Sequence, residues 1–304
     1  MPDISVCIAT YRRPERLMAL LKDLLQQTVQ PNEVVIVDND AAGSARAVVE
    51  SFQRECVPGF TLQYAIQPKK NISLTRNKTI ELARGEWLAF IDDDERPYTV
   101  WLEQLLAAQT KYSATGILAP VVAQVPADAP EWIKKGGFYT LPRLSTGSIV
   151  PANMFRIGNA LIEAAALRRL EGPFDPEFGL TGGEDGDMLS RLAQNGARIH
   201  WSDEAIVDEP VEPSRLNLKW LFMRSLRGGQ DFAYHTQAGR YGQYNMSKGL
   251  VFAGRSVFQL GVAAVLGVIS LPLGKHRGAY WLFKAAANMG KLSAFWGSHY
   301  REYA

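Results

Sequence analysis

The 304-residue chain holds only two cysteines, Cys7 and Cys56, and four histidines. Two cysteines cannot staple a fold, and Cys7 lies inside an apolar strand pattern, so both are read as reduced thiols. His200 precedes Trp201 at a strand end and has no second ligand at metal spacing, which makes it structural. Neither GxGxxG nor GxxxxGK[ST] occurs, so no dinucleotide fingerprint or P-loop is on hand; a bound nucleotide has to be held by metal and side chains. No secretory signal opens the chain, since Asp3 arrives at once and the first apolar run is only about a strand long, and the front half is expected to be cytoplasmic. Acid is nearly missing from the tail: residues 213–304 carry 12 Lys/Arg against 2 Asp/Glu, whereas 1–212 carry 21 against 29. The net charge of +2 therefore hides a front of −8 and a tail of +10, and such a tail is expected to meet an anionic surface, membrane or nucleic acid.

What is present begins with regular alternation. Ile4 to Ala9, Glu33 to Val37, Thr61 to Ala65 and Trp87 to Ile91 read as strands. Between them lie helical patterns, the first starting at Arg13-Pro14 with Leu17, Leu20, Leu21, Leu24 and Leu25 on one face. Strands alternating with helices predict a doubly covered, mostly parallel sheet, the Rossmann-like α/β class. Residues 1–212 are expected to form that α/β domain and 213–304 a helical appendage. The strand at Trp87 empties into four carboxylates, Asp92, Asp93, Asp94 and Glu95, at the carboxyl end where ligands of open α/β sheets gather. Adjacent carboxylates repel one another, and a hard divalent cation answers that repulsion. Mg²⁺ or Mn²⁺ typically takes one or two protein carboxylates and completes its shell with water and phosphate oxygens. The plainer reading is a solvated acidic turn that caps the helix starting near Tyr98.

Four stretches, SVCIATYRRPERL, EVVIVDND, NISLTRNKTIELARGEWLAFIDDDE and GGEDGDMLSRLAQNGARI, resemble in order and spacing the motifs of the inverting family 2 glycosyltransferases, which have the GT-A fold. The resemblance covers about Ile4 to Asp208. It implies transfer of a sugar from a nucleoside diphosphate donor, usually UDP-linked, with Mn²⁺ or Mg²⁺ at the acidic motif. Asp94 matches the direct metal ligand, and Asp92 and Asp93 match neighbours that support the metal and the ribose. Thr10 falls beside the base, and Arg76 falls in the donor-binding segment before the acidic strand. The family commonly has two aspartates after its second strand, whereas this chain has Asp38 and then Asn39, whose amide can both accept from and donate to a pyrimidine edge. The family's catalytic base falls on Asp185, with Gly183 and Glu184 beside it as acceptor or donor-sugar contacts. Physical logic agrees: a metal stabilises the departing diphosphate, and a carboxylate on the far side of the sugar takes the acceptor proton. Glu184, Asp185 and Asp187 also suit a plain helix start, where acids favour the positive end of the dipole.

Between these motifs, Gln124 to Pro151 reads as an acceptor-side loop. There Trp132 is either a sugar platform or a local core plug. Asn159, in the strand pattern Arg156 to Ile162, is either a sugar contact or a buried structural amide. In the tail, Arg224 and Arg227 are candidates for a diphosphate. Ser256 to Gly274 is uncharged and long enough to span a bilayer. A single span would put Lys275, Arg277, Lys284, Lys291 and Arg301 outside, against the positive-inside bias, so an interfacial or re-entrant helical pair is expected. The expected partners are a nucleotide-sugar donor, a glycan or lipid-linked saccharide acceptor and an anionic cytoplasmic membrane face, approached peripherally or monotopically. Nucleic acid has no use for the uncharged stretch. Two alternatives stay open: a sugar-1-phosphate nucleotidyltransferase, which would release pyrophosphate, and a non-catalytic membrane-bound sugar-nucleotide binding module, which would not need Asp185.

Overall fold

Apolar runs with little charge build the first four strands: β1 (Ile4–Thr10), β2 (Glu33–Asp38), β3 (Thr61–Ile66) and β4 (Trp87–Ile91). Helices α1 (Pro14–Leu24), α2 (Arg46–Glu55) and α3 (Ile72–Leu82) connect them. Proline at the first turn of α1 costs no hydrogen bond there, and Asn71 caps α3 by accepting from Leu74 N–H at 2.9 Å. The structure, a computed structural model, describes residues 2–56 and 59–297. Arg301, counted above among the tail cations, lies outside the described residues.

After β4 come the short β5 (Arg96–Pro97), α4 (Trp101–Tyr112), β6 (Gly116–Leu118), β7 (Val121–Gln124) and α5 (Glu131–Gly136). Next are β8 (Asn159–Glu163), α6 (Ala164–Arg168), α7 (Glu184–Gln194), β9 (Ile199–Trp201) and β10 (Val207–Pro210), and last the long helices α8 (Leu218–Gln237), α9 (Met246–Ser270) and α10 (Lys275–Ser293). Seven strands form one sheet in the order β3-β2-β1-β4-β8-β6-β9. Pairing is parallel from β3 to β4 and between β6 and β9, whereas β8 runs antiparallel to both β4 and β6. This is the expected mostly parallel α/β sheet, with one reversed strand that the periodicity does not announce. The reversal brings the start of β8 to the carboxyl end of β4, where Ile91 pairs with Asn159.

Two apolar layers cover the sheet. One holds Leu17, Leu20, Leu21, Phe52 and Trp101, the other Phe90, Ile157, Phe174, Met188 and Leu189. At about 25 cal/mol per Å² of apolar surface removed from water, these layers dominate the stabilisation of the sheet.

The chain divides into two units. The first contains residues 2–122 and 141–209, and the second contains 123–140 and 210–297. The sequence leads one to expect one boundary at 212 and a loop of the front domain over 124–151. In the structure α5 and its flanks instead belong with the tail helices, around a core of Ile133, Tyr139, Val211, Leu221, Ala279 and Phe283. Within this unit α8 and α10 approach closely: a Cβ on Gly229 would lie 1.9 Å from the Ala287 carbonyl oxygen, and one on Gly290 1.9 Å from that of Leu226.

Candidate active site

The acidic turn is bound to the end of β1 and the start of α1. Thr10 Oγ1 donates to Asp93 Oδ2 at 2.7 Å, and Arg13 Nη1 reaches Asp93 Oδ1 at 3.0 Å and Asp94 Oδ2 at 2.9 Å. Arg16 Nη1 adds a contact to Asp94 Oδ2 at 3.2 Å. Burial pushes the Asp93 carboxyl up to about 6, opposed by Arg13. Glu95 is buried and accepts Asp92 N–H at 3.0 Å; burial, then the charge of Asp92, raises its pKa well above the usual range. Gly158, just before β8, makes room for this turn, since a Cβ there would meet Glu95 Oε1 at 2.8 Å and Asp92 Oδ2 at 3.1 Å. Of the four acids Asp92 is the one that faces outward, with 42% of its side chain exposed.

Arg76, in α3, joins this turn to the start of α7. Its Nη2 contacts Asp92 Oδ1 at 3.1 Å, and its Nη1 contacts Glu184 Oε1 and Asp185 Oδ1. Asp185 Oδ2 accepts from Ile157 N–H at 3.3 Å. Gly183, with φ of 98°, makes the left-handed turn into α7, so Glu184, Asp185 and Asp187 occupy its first turn, a place that favours anions. Asp187 pairs with Arg191 at 2.7 Å along the helix. The structure thus assembles Thr10, Arg76, Asp92, Asp93, Asp94, Gly183, Glu184 and Asp185 around one cluster of carboxylates and guanidinium groups.

Three residues expected at the ligand are engaged by hydrogen bonds within the protein. Asp38 has no exposed surface; its carboxylate accepts from Asp40 N–H, Ala45 N–H and Tyr64 Oη–H, which shapes the loop after β2. Asn39 Nδ2 donates to the carbonyls of Gln67 and Lys69 at 2.8 Å each, and its Oδ1 accepts from Asn71 N–H at 2.8 Å, so its amide is committed to the 67–71 loop. Asn159 is likewise spent: its Oδ1 accepts from Trp101 Nε1 at 2.8 Å, and its Nδ2 donates to Pro120 O at 2.9 Å and Ala205 O at 2.7 Å. Three more belong to the second unit. There Trp132 packs on Phe138 with ring centroids 5.7 Å apart, as a core plug. Arg224 lies over Tyr139 and Trp220, and Arg227 approaches Asp231 at 4.0 Å.

Sequence reasoning missed Arg13 and Arg16, whose helical spacing just downstream of the β1 end was the available signal. It also missed Arg12, a non-glycine residue at φ 55°, steadied by Asp40 at 3.0 Å and by Ser44. Tyr11 sits between two cations, 5.1 Å from the Arg12 guanidinium carbon and 5.2 Å from Lys70 Nζ. Arg156, an exposed side chain, lies within electrostatic reach of Asp185 and Glu209.

Among the described residues no group of three or more His, Cys, Asp or Glu side chains is arranged to hold a metal ion. Asp92 and Asp94 are the carboxylates of this turn expected to take part in a metal site, the remaining positions of such an ion falling to a diphosphate and water. Oxygen donors of this kind suit Mg²⁺ and Mn²⁺. Asp94 carries two guanidinium groups, those of Arg13 and Arg16.

A sheet of this order, ending in an acidic turn that faces a helix-borne carboxylate, defines a GT-A glycosyltransferase architecture. The family model "Glycosyl transferase family 2" matches residues 5–158. The chain is 35% identical over 302 residues to the succinoglycan biosynthesis protein ExoM of Rhizobium meliloti (strain 1021), covering 97% of this chain and 93% of that protein. It therefore belongs to glycosyltransferase family 2 and is a glycosyltransferase. Among solved structures it resembles the mannosyltransferase PcManGT from Pyrobaculum calidifontis in complex with GDP-Man and Mn²⁺. The TM-score is 0.66 at 17% identity, over 98% of this chain and 90% of that one. It also resembles S. aureus TarS 1-349 in complex with UDP-GlcNAc, with a TM-score of 0.56 at 18% identity, over 98% and 93%. At these identities the structural likenesses speak for the fold alone.

Proposed function

We propose that the protein transfers a sugar, with inversion, from a nucleoside diphosphate donor to a hydroxyl of a glycan acceptor in polysaccharide biosynthesis. The observation that carries this reading is the single cluster in which strand-end acids and the acids of α7 face one another across Arg76. Asp92 and Asp94 would hold Mn²⁺ or Mg²⁺, which when bound offsets charge on the departing diphosphate. Asp185, with 25% of its side chain exposed, takes the proton of the incoming hydroxyl. Attack from its side, opposite the leaving group, inverts the anomeric carbon. Thr10 and Asp93 brace the turn beneath the ribose, and Asp38 and Asn39 act on the nucleobase pocket indirectly, through the loops they fix. A UDP-sugar is the donor we favour on family grounds, and the GDP-Man and UDP-GlcNAc complexes of the structural relatives make both bases worth assaying.

The acceptor we favour is a saccharide carried on a lipid diphosphate, with the second unit attached to the anionic cytoplasmic membrane face. Met246–Leu273 is the one stretch among the described residues long and apolar enough to cross a membrane. Several features favour lying in the interface instead. Leu250, Val251, Phe258, Val265 and Val268 are exposed along α9, while Arg255 interrupts its apolar length. The α10 helix returns beside it, with its Trp281 near Gly267 and Phe295, just past its end, near Phe252, and would bring Lys284 and Lys291 into the hydrocarbon if α9 spanned. An in-plane α9 keeps these cations at the surface, where each is worth about 1 kcal/mol against anionic lipid.

The test is a screen of UDP-, GDP- and dTDP-sugars with Mn²⁺, read by released nucleotide, with Asp94→Ala and Asp185→Asn as controls. Nucleoside diphosphate should appear, the Asp94 variant should lose metal-dependent nucleotide binding, and the Asp185 variant should keep binding but turn over at least ~10²-fold more slowly. Pyrophosphate release would replace this reading with nucleotidyl transfer, and turnover untouched in the Asp185 variant would remove the base. Flotation with phosphatidylglycerol vesicles checks the membrane arm; failure to float returns the second unit to a soluble role.

A further inference from the structure

We propose that Arg76 is a positioning residue for the base rather than a donor contact: it aims Asp185 and ties that aim to the acidic turn through Asp92. The inference rests on the reading of glycosyl transfer given above. Only 9% of the Arg76 side chain is exposed, and its two terminal nitrogens bond to different elements. Nη2 takes Asp92 at the end of β4, and Nη1 takes Glu184 and Asp185 at the start of α7, more than a hundred positions away in sequence. A planar guanidinium fixes the separation of its two nitrogens, so the distance between turn and base is set by a rigid fork, which a lysine ammonium does not provide.

The fork itself is anchored. Its guanidinium carbon lies 5.7 Å from the Phe174 ring centroid. The flanking residues of α3 are stitched to the segment before α7: Asn71 Nδ2 donates to Pro176 O at 2.9 Å, and Ile72 N–H to Gly179 O at 3.1 Å. Asn77 Nδ2 donates to Phe174 O at 2.7 Å, and Asn77 Oδ1 accepts from Phe174 N–H at 2.9 Å. Arg76 is thus held on the same frame that leads into the α7 carboxylates. Asp185 has one oxygen on Arg76 and the other on Ile157 N–H, so its carboxylate plane is fixed from two sides. Each carboxylate oxygen has a second lone pair, so this anchoring leaves the base able to accept a substrate proton. A donor contact would spend the guanidinium on phosphate and leave the base to its neighbours; here the guanidinium is spent on the base.

Arg76→Gln, Arg76→Lys, Asp185→Asn and the Arg76→Gln/Asp185→Asn double variant decide the matter. Calorimetry with UDP and GDP in Mn²⁺ should give dissociation constants within about 3-fold of wild type for both Arg76 variants. Turnover should fall by about 10²-fold in Arg76→Gln and less in Arg76→Lys, and the double variant should be no slower than Asp185→Asn alone, as for groups that act as a unit. A urea-denaturation cycle over the same proteins reads the coupling of Arg76 to Asp185 without any turnover, and it should be non-additive. Nucleotide affinity weakened more than about tenfold with kcat intact would make Arg76 a donor contact, and multiplicative rate losses or an additive urea cycle would uncouple it from the base. If the glutamine variant does not fold, the lysine variant carries the comparison. Wild type that releases no nucleoside diphosphate from any sugar nucleotide refutes the transfer reading and, with it, the catalytic part of the inference, while the urea cycle still judges the anchoring.

Discussion

Replacing Asn159 by leucine separates a structural amide from a sugar contact. The substitution keeps the side-chain volume close to native but removes three hydrogen bonds in a place without solvent. Trp101 Nε1–H and the Ala205 carbonyl would then lose these bonds to Asn159, whereas Pro120 O keeps the Val207 N–H at 3.2 Å. Two orphaned buried groups at about 1–3 kcal/mol each give a loss centred near 4 kcal/mol. For a unit of this size that corresponds to a fall in melting temperature of roughly 8–16 °C. Near-UV circular dichroism is the suitable probe, because Trp101 is fully buried and reports on its own indole environment. Activity at a temperature where the variant remains folded should be close to normal. A melting temperature within about 2 °C of wild type, together with a raised KM, would refute the reasoning and restore Asn159 as a sugar contact.

Arg12→Asn should raise the melting temperature by about 2–4 °C, since asparagine accepts the left-handed conformation at φ 55° more readily than arginine does; an unchanged or lower value would mean that the exposed Asp40 contact outweighs the backbone strain. Gly229→Ala should lower the urea midpoint even though alanine gains about 1 kcal/mol of helix propensity, because its Cβ would strike the Ala287 carbonyl; a higher midpoint would show that α8 and α10 can part cheaply.

The alternation of strands and helices up to Ile91 was legible because each strand carries a short apolar run, two of them emptying into acid at Asp38 and Asp92, and because α1 has a leucine stripe and α3 an asparagine cap. The acids of the site were legible for the same reason. Their cationic partners were not, since a carboxylate at a strand end gives no sign of which arginine will reach it. Arg76 meets Asp185 through a turn that depends on Gly183, and Arg13, at the start of α1, meets Asp94 in the turn after the neighbouring strand. Asp38 and Asn39 show the opposite difficulty: polar residues after a strand serve equally well as ligand contacts and as loop braces, and the sequence does not show the hydrogen bonds by which these two hold the loops around them. The reversed β8 was hidden because an apolar strand reads the same in either direction. The association of α5 with the tail was hidden because Ile133 is its one buried side chain, and its tail partners, from Val211 to Phe283, come 78 to 150 residues later.

The second unit is contiguous in space but is drawn from two separate stretches of chain. Ending the polypeptide near Glu212 would not trim away an appendage; it would strip the partners from Ile133 and Tyr139 and leave an apolar scar on what remains. Evolution faces the same obstacle as the experimenter, because such a unit cannot be acquired or discarded as a terminal cassette. Changes in the α5 excursion and in the late helices have to be accepted together, so substitutions at Ile133 or Tyr139 should track those at Leu221, Ala279 and Phe283 among relatives that retain this arrangement.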